Sequence, residues 1–220
     1  FAITGMTTKC IMLFIVFAIA TEPVLRYLTI LTEKIRRGLE DLNFIDVAFE
    51  MEFRRLEQYT ASGFDEAEFM ISTNPGMPVR PLGMVASGGE LSRIMLAIKA
   101  VLADTDDIPT LIFDEIDTGI SGRTAQKVSE KLSYIARNHQ VICITHLPQI
   151  AAMADTHFEI AKSAAAGSTT TTIHPLCGDE MVKELARLLG GAKITDAVYD
   201  NAREMKVLAD QSKLYKTVNN

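Results

Sequence analysis

Cysteine is scarce in this chain of 220 residues: Cys10, Cys143 and Cys177 are few, odd in number and far apart. That excludes a disulfide framework and points to a reducing compartment, so the expected location is cytoplasmic. Positive charge is also short, with 22 Lys and Arg against 28 Asp and Glu for a net charge of −6. The chain as a whole casts no basic field toward nucleic acid, and contact with DNA would need a local patch, a partner or a further segment. Arg36-Arg37 and Arg54-Arg55 are the doublets that could reach phosphates, and solvated surface is the simpler reading of both. The one long apolar run, Cys10 to Ala20 behind Lys9, has eleven residues, against about 20 for a membrane-spanning helix. It has the form of a signal-peptide core ending in Ala18-Ile19-Ala20, but since everything downstream reads as cytosolic, a buried helix or strand, or an aberrant start, is the preferred reading. Metal-ligand spacing is missing as well: Cys143 and His146 have no second pair beside them, and Cys143 reads as a core strand cysteine. Also missing is a Gly-rich loop with a phosphate-holding Lys.

What is present is an ordinary globular composition, 48% hydrophobic and 23% charged, sufficient for one large domain or a domain with an appendage. Residues 1–22 form an atypical apolar N-terminal segment. Across 23–43, Val24, Leu28, Leu31, Ile35, Leu39 and Leu42 recur at helical spacing among charged residues, giving an amphipathic helix that could end a coiled coil. Val47, Phe49, Met51 and Phe53 then alternate with polar residues, a strand with one wet face. Ser62-Gly63 turns the chain, Glu68 to Ser72 is a partner strand, and Asn74-Pro75-Gly76 breaks it.

After Ser87 the period changes. Leu91, Ile94, Met95, Ile98, Val101 and Leu102 make one helical stripe, and Ala125, Val128, Leu132 and Ile135 another on a helix begun by Ser121. Thr110 to Phe113, Val141 to Thr145 and Phe158 to Ala161 read as buried strands, which predicts an α/β fold with a mainly parallel sheet covered by helices on both faces. Ser168 to Thr172 is an edge strand or hairpin; Asp179 and Thr195 cap two last helices, the first stopping at Gly190-Gly191. Residues 44–210 form one lobe, and the polar tail 211–220 is expected to fray.

Two short runs carry the chemistry. In Ser87-Gly88-Gly89-Glu90-Leu91-Ser92-Arg93, Ser87 and Glu90 have capping-box spacing, and the glycines leave a helix start bare enough for a polyphosphate to reach free amides. In Leu111-Ile112-Phe113-Asp114-Glu115-Ile116-Asp117 an apolar strand runs directly into carboxylates, where ligands of open parallel sheets gather. Asp114 would hold magnesium through water, and Glu115 would orient and deprotonate an attacking water. His146, at the end of the neighbouring predicted strand, could hydrogen-bond a γ-phosphate oxygen or that water. His139, His157 and His174 have no such context.

These runs resemble the ABC-type ATPase heads of the SMC-like family: the first looks like the ABC signature, the second like the Walker B strand, Asp117 to Gly122 like the D-loop, and Ile144 to Ile150 like the switch-histidine segment. Ile71 to Gly76 and Val182 to Gly191 resemble the family's DNA-repair members rather than transporter subunits. The resemblance spans Val24 to Met205; residues 1 to about 22, where a polar coiled coil would be expected, depart from it. It implies the C-terminal lobe of a P-loop NTPase head, with a small N-terminal β meander and helix. The Walker A lobe would lie beyond a coiled-coil arm of the same polypeptide, and a homodimer of heads would sandwich two ATP molecules. By motif, Ser87, Gly88, Gly89 and Glu90 would serve the γ-phosphate held by the other head, Asp114 magnesium, Glu115 the water, Asp117 the dimer interface, and His146 the γ-phosphate. The family acts in recombinational repair, binding ends of DNA double-strand breaks in the nucleoid, with no membrane partner. This chain alone is expected to lack ATPase activity. A lobe serving a separate Walker A polypeptide, or a transporter subunit, is the alternative.

Overall fold

The computed structural model describes residues 8–218 apart from 62, 75, 86, 166, 167 and 192, and for 8–22, 163–165, 168 and 215–218 the backbone alone. It divides into two compact units, residues 1–85 and 86–220. In the first, helix α1 (Thr8–Asp41) begins fifteen residues before the expected start and runs through Pro23. The apolar run 10–20 is therefore helical in its backbone, while its side chains lie outside the described residues, as do Ser62 and Pro75 of the two predicted breaks. Asn43 and Asp46, both at positive φ, turn the chain from α1 into strand β1 (Ala48–Thr60).

Strand β1 pairs antiparallel with β2 (Gly63–Ser72), which pairs with the short β3 (Arg80–Pro81). This is the expected meander, with both long strands extending past their apolar alternation. Phe49 stands opposite Ile71, and these two with Val47, Phe44, Ile35, Leu39 and Leu42 are buried. Fully burying such side chains contributes about 1.5–3 kcal/mol each. Farther out the same face opens, and Phe53 is exposed.

The second unit carries the motifs. Helix α2 (Gly88–Leu102) precedes strand β4 (Thr110–Phe113); helix α3 (Gly122–Ile135) then leads to β5 (Gln140–Cys143), parallel to β4 with Ile112 opposite Ile142. Bonds from Gln140 N to Pro109 O and from Ile144 N to Phe113 O extend the pairing at both ends. The α2 face differs from the predicted stripe: Arg93, Leu96 and Ala97 are buried with Ile94 and Ile98, whereas Leu91 is exposed. On α3 the predicted Ala125, Val128, Leu132 and Ile135 are buried as expected.

Two expectations about the sheet are corrected. Phe158 and Ile160 are exposed, and their strand β6 (His157–Ala165) forms an antiparallel hairpin with β7 (Ser168–Leu176) instead of joining the parallel sheet. Phe158, Ile160 and Lys162 share one exposed face while His157 and Glu159 lie on the other, which suits a two-stranded hairpin better than a buried strand. Nor is the parallel pair covered on both faces: Ile112 is 68% exposed, Ile142 44% and Ile144 50%.

Short helix α4 (Pro148–Ala152) packs with α5 (Asp179–Gly190) and α6 (Asp196–Val218) around Ala152, Leu185, Ala186 and Ala202. Lys206 Nζ donates to Ala152 O and Ala154 O, satisfying carbonyls at the end of α4. Asp179 lies inside the first turn of α5 rather than capping it; Gly178, at φ 52°, is the cap, and Glu180 accepts from Cys177 N. Thr195 does cap α6, accepting from Val198 N at 3.4 Å. The tail expected to fray continues α6 to Val218, and Lys213 ties it to Asp155 at 2.7 Å.

Candidate functional site

At the start of α2, Ser87 has extended backbone and its Oγ accepts from Glu90 N at 3.4 Å. The return bond from Glu90 to the Ser87 amide is absent among the described residues, so the predicted capping box is half formed. Glu90 still places a negative charge in the first turn, where the helix dipole favours it. The two glycines have different neighbours. A Cβ on Gly88 would collide with Glu115 Oε2, the end of a flexible side chain. A Cβ on Gly89 would stand 2.9 Å from both Glu115 O and Thr118 Cβ, in a packed and largely backbone environment.

Those contacts arise because β4 ends in a tight turn. Glu115 takes positive φ (56°), and Thr118 N donates to Glu115 O at 3.0 Å. A left-handed conformation is costly for a non-glycine residue, by roughly 1 kcal/mol or more, and persists where surrounding structure over-determines it. Here Asp114 Oδ1 accepts the Glu115 amide at 2.9 Å, and Ser92 Oγ donates to Asp114 O at 2.7 Å. On an ideal strand Asp114 and Glu115 would point to opposite faces; the turn carries the Glu115 carboxylate to Gly88 instead. Both acidic residues are exposed at the carboxyl end of the parallel pair.

Asp117 is 4% exposed. Its Oδ2 accepts from Thr145 Oγ1 at 2.6 Å and His146 N at 2.8 Å, and lies 2.9 Å from His146 Nδ1. Thr145 Oγ1 in turn accepts from Leu147 N at 3.0 Å, fixing the segment after β5. The carboxylate expected to face a dimer interface is therefore engaged inside its own chain, holding the histidine. The His146 ring is open to solvent beyond that contact.

Two functional neighbours escaped the sequence reading. The sequence reads Thr145 as strand and Arg93 as the end of a motif. Arg93 is buried, and its Nη1 donates to Thr118 O at 2.8 Å and Ile116 O at 3.4 Å. Burial lowers its pKa from the ordinary guanidinium value, with Glu90 opposing the shift. The available signal was spacing: Arg93 falls four residues after Gly89 and four before Ala97, on one helix face.

The remaining candidates are structural. His139 is buried between Ile108 O, 2.7 Å from Nδ1, and Ala103 O, 3.1 Å from Nε2. Burial, then Lys206, lowers the pKa of His157. Burial, with Asp117 and Asp114, pushes the Cys143 thiol up to about 12, so it is a poor nucleophile at neutral pH. Among the described residues no group of three His, Cys, Asp or Glu could hold a metal. Asp114 Oδ2 has no partner there, however. Magnesium is commonly held through one or two carboxylates plus water and phosphate oxygens, so this single open carboxylate fits that ion beside a nucleotide.

No protein-family model matches the sequence. Relatives do: the chain is 44% identical over 187 residues to the DNA repair protein RecN of Halalkalibacterium halodurans, covering 83% of this chain and 33% of that protein. With RecN of Bacillus subtilis it shares 45% over 198 residues, 83% of this chain and 34% of that protein. It thus spans about one third of the length of these relatives. The crystal structure of the Smc head domain with a coiled coil and joint from Pyrococcus yayanosii shares the fold, at TM-score 0.50 and 23% identity over 73% of this chain and 29% of that one. Sequence kinship agrees with the motifs around Gly89, Asp114 and His146, and the fold is that of an Smc head: the chain belongs to the family of the DNA repair protein RecN.

Proposed function

We propose that this lobe supplies the ABC signature, Walker B carboxylates, D-loop and switch histidine to an ATP sandwich in recombinational repair of DNA double-strand breaks. Its partners would be a Walker A lobe of the same polypeptide, a second head and, through the whole protein, DNA ends. The observation that carries the reading is the direct linkage of the two motif runs. Ser92 bonds to Asp114 O, Arg93 to the following turn, and Asp117 to His146. The exposed Ile112, Ile142 and Ile144 face supports it too, since a second lobe would have apolar surface to cover.

In this mechanism the γ-phosphate of ATP held by the other head meets the start of α2, where Ser87, Gly88, Gly89 and Glu90 form the cradle. On its own side, Asp114 would hold magnesium, which when bound neutralises phosphate charge and orients the γ-phosphoryl group. Glu115, whose flexible side chain here rests beside Gly88, would swing from there to take a proton from the attacking water as the water oxygen bonds phosphorus and the bond to ADP breaks. His146 donates Nδ1–H to Asp117, a tautomer assigned from the network, which leaves Nε2 to accept from that water.

Two measurements test this. The 220-residue chain alone should show no magnesium-dependent ATP turnover, and turnover that Glu115→Gln abolished would overturn the need for a Walker A lobe. In the full-length protein Glu115→Gln should bind ATP and hold the heads engaged while hydrolysis falls by about 10²-fold or more; normal hydrolysis by that variant would remove Glu115 from the base role.

A further inference from the structure

We propose that Arg93 is a positioning residue that makes the start of α2 and His146 move as one body, so that engagement of one nucleotide is felt at the other. The inference rests on the ATP-sandwich reading, in which the α2 start serves the other head's nucleotide while Asp114, Glu115 and His146 serve the lobe's own. The connection is continuous. From α2, the buried Arg93 Nη1 donates to Ile116 O and Thr118 O, the carbonyls on either side of Asp117. From Asp117, the carboxylate takes three contacts from Thr145 and His146. Ser92 adds a second tie at Asp114 O. Gly89 leaves no slack between α2 and the turn, because even a methyl there would press on Glu115 O and Thr118.

A shift of α2 must therefore drag the turn that carries Asp117, and with it the histidine. Burying a guanidinium is expensive unless its donors are satisfied. The other buried side chains along α2, Ile94, Leu96, Ala97 and Ile98, are apolar, so the guanidinium is the charged exception packed among them. The position is used to grip a turn rather than to fill space.

The test compares Arg93→Met, which keeps the stem and removes the donors, with Arg93→Lys, which keeps one charged donor, in the 220-residue chain. Two-dimensional NMR should show the Thr145 and His146 amides and the His146 ring signals displaced in Arg93→Met and partly restored in Arg93→Lys. The signals of Leu185 and Ala202, in the helical core, should stay in place in both variants, and the Thr145 and His146 signals should stay in place in the surface control Arg187→Met. Unmoved Thr145 and His146 signals in folded Arg93→Met would overturn the proposal. Should that variant fail to fold, the reverse perturbation decides: Asp117→Asn must move the Arg93 guanidinium N–H signals, and no movement overturns the coupling. In the full-length ATPase, Arg93→Lys should lower kcat by about 10-fold or more with KM for ATP changed less than about twofold. Coupled signals together with normal hydrolysis by Glu115→Gln would sink the ATPase reading and leave the mechanical linkage standing.

Discussion

Gly88 and Gly89 are adjacent in sequence, yet a methyl group would mean different things at each. At Gly88 it meets the carboxylate of Glu115, which can swing away; at Gly89 it meets the Glu115 carbonyl and Thr118 at 2.9 Å, where the turn itself would have to move. Gly89→Ala should therefore destabilise the folded chain by about 1–3 kcal/mol, as overpacking does. Gly88→Ala should stay within about 1 kcal/mol of the parent, since alanine is also the better helix former. Urea unfolding of the two variants checks this, and equal midpoints would contradict the packing argument. The glycine pair was legible as a bare helix start. That it also receives the Glu115 turn was not, because nothing in a linear pattern announces a glutamate at positive φ.

Helix α1 shows how element-scale stability is distributed. Glu33 binds both Arg36 and Arg37 at 2.8 Å, and Arg36 also pairs with Glu40. Arg36 first, then Arg37, holds the Glu33 carboxyl down to about 2, against an ordinary value of 4.5. A carboxyl depressed on folding contributes stability above its unfolded pKa and loses it as pH falls toward the folded value. The advantage of the parent over Glu33→Gln should accordingly be complete at pH 6, shrink from about pH 4.5 and vanish near pH 2. Thermal melts followed by circular dichroism test it; 1 M salt should also narrow the gap, since these charges face solvent. At this scale the apolar period located α2, α3, β4 and β5 to within one or two residues. It failed for β6, where Phe158 and Ile160 alternate with polar residues and only hydrogen bonding to β7 decides which sheet the strand joins.

For the whole molecule the decisive feature is a parallel pair with one apolar face exposed. Ile112, Ile142 and Ile144 present side chains that a soluble lobe would ordinarily cover. The isolated chain should self-associate as concentration rises, and Ile112→Lys should shift it toward monomer in sedimentation velocity while leaving helix content unchanged. Association unaffected by that substitution would show that the face is not what the chain hides. The chain spans about one third of its relatives' length, and the bare isoleucine face is apolar surface on which a further lobe could pack.

The order of residues alone determined the chemistry on offer: a glycine-opened helix start, an apolar strand ending in Asp114 and Glu115, and a histidine after the next strand. Those depend on local spacing and periodicity, which backbone geometry converts directly into helices and strands. The tertiary structure alone decided that Asp117 faces inward to hold His146, that Arg93 is buried against the same turn, and that one face of the sheet stays bare. Such facts depend on which residues distant in sequence come within hydrogen-bonding or packing distance, and that is set by the assembled fold.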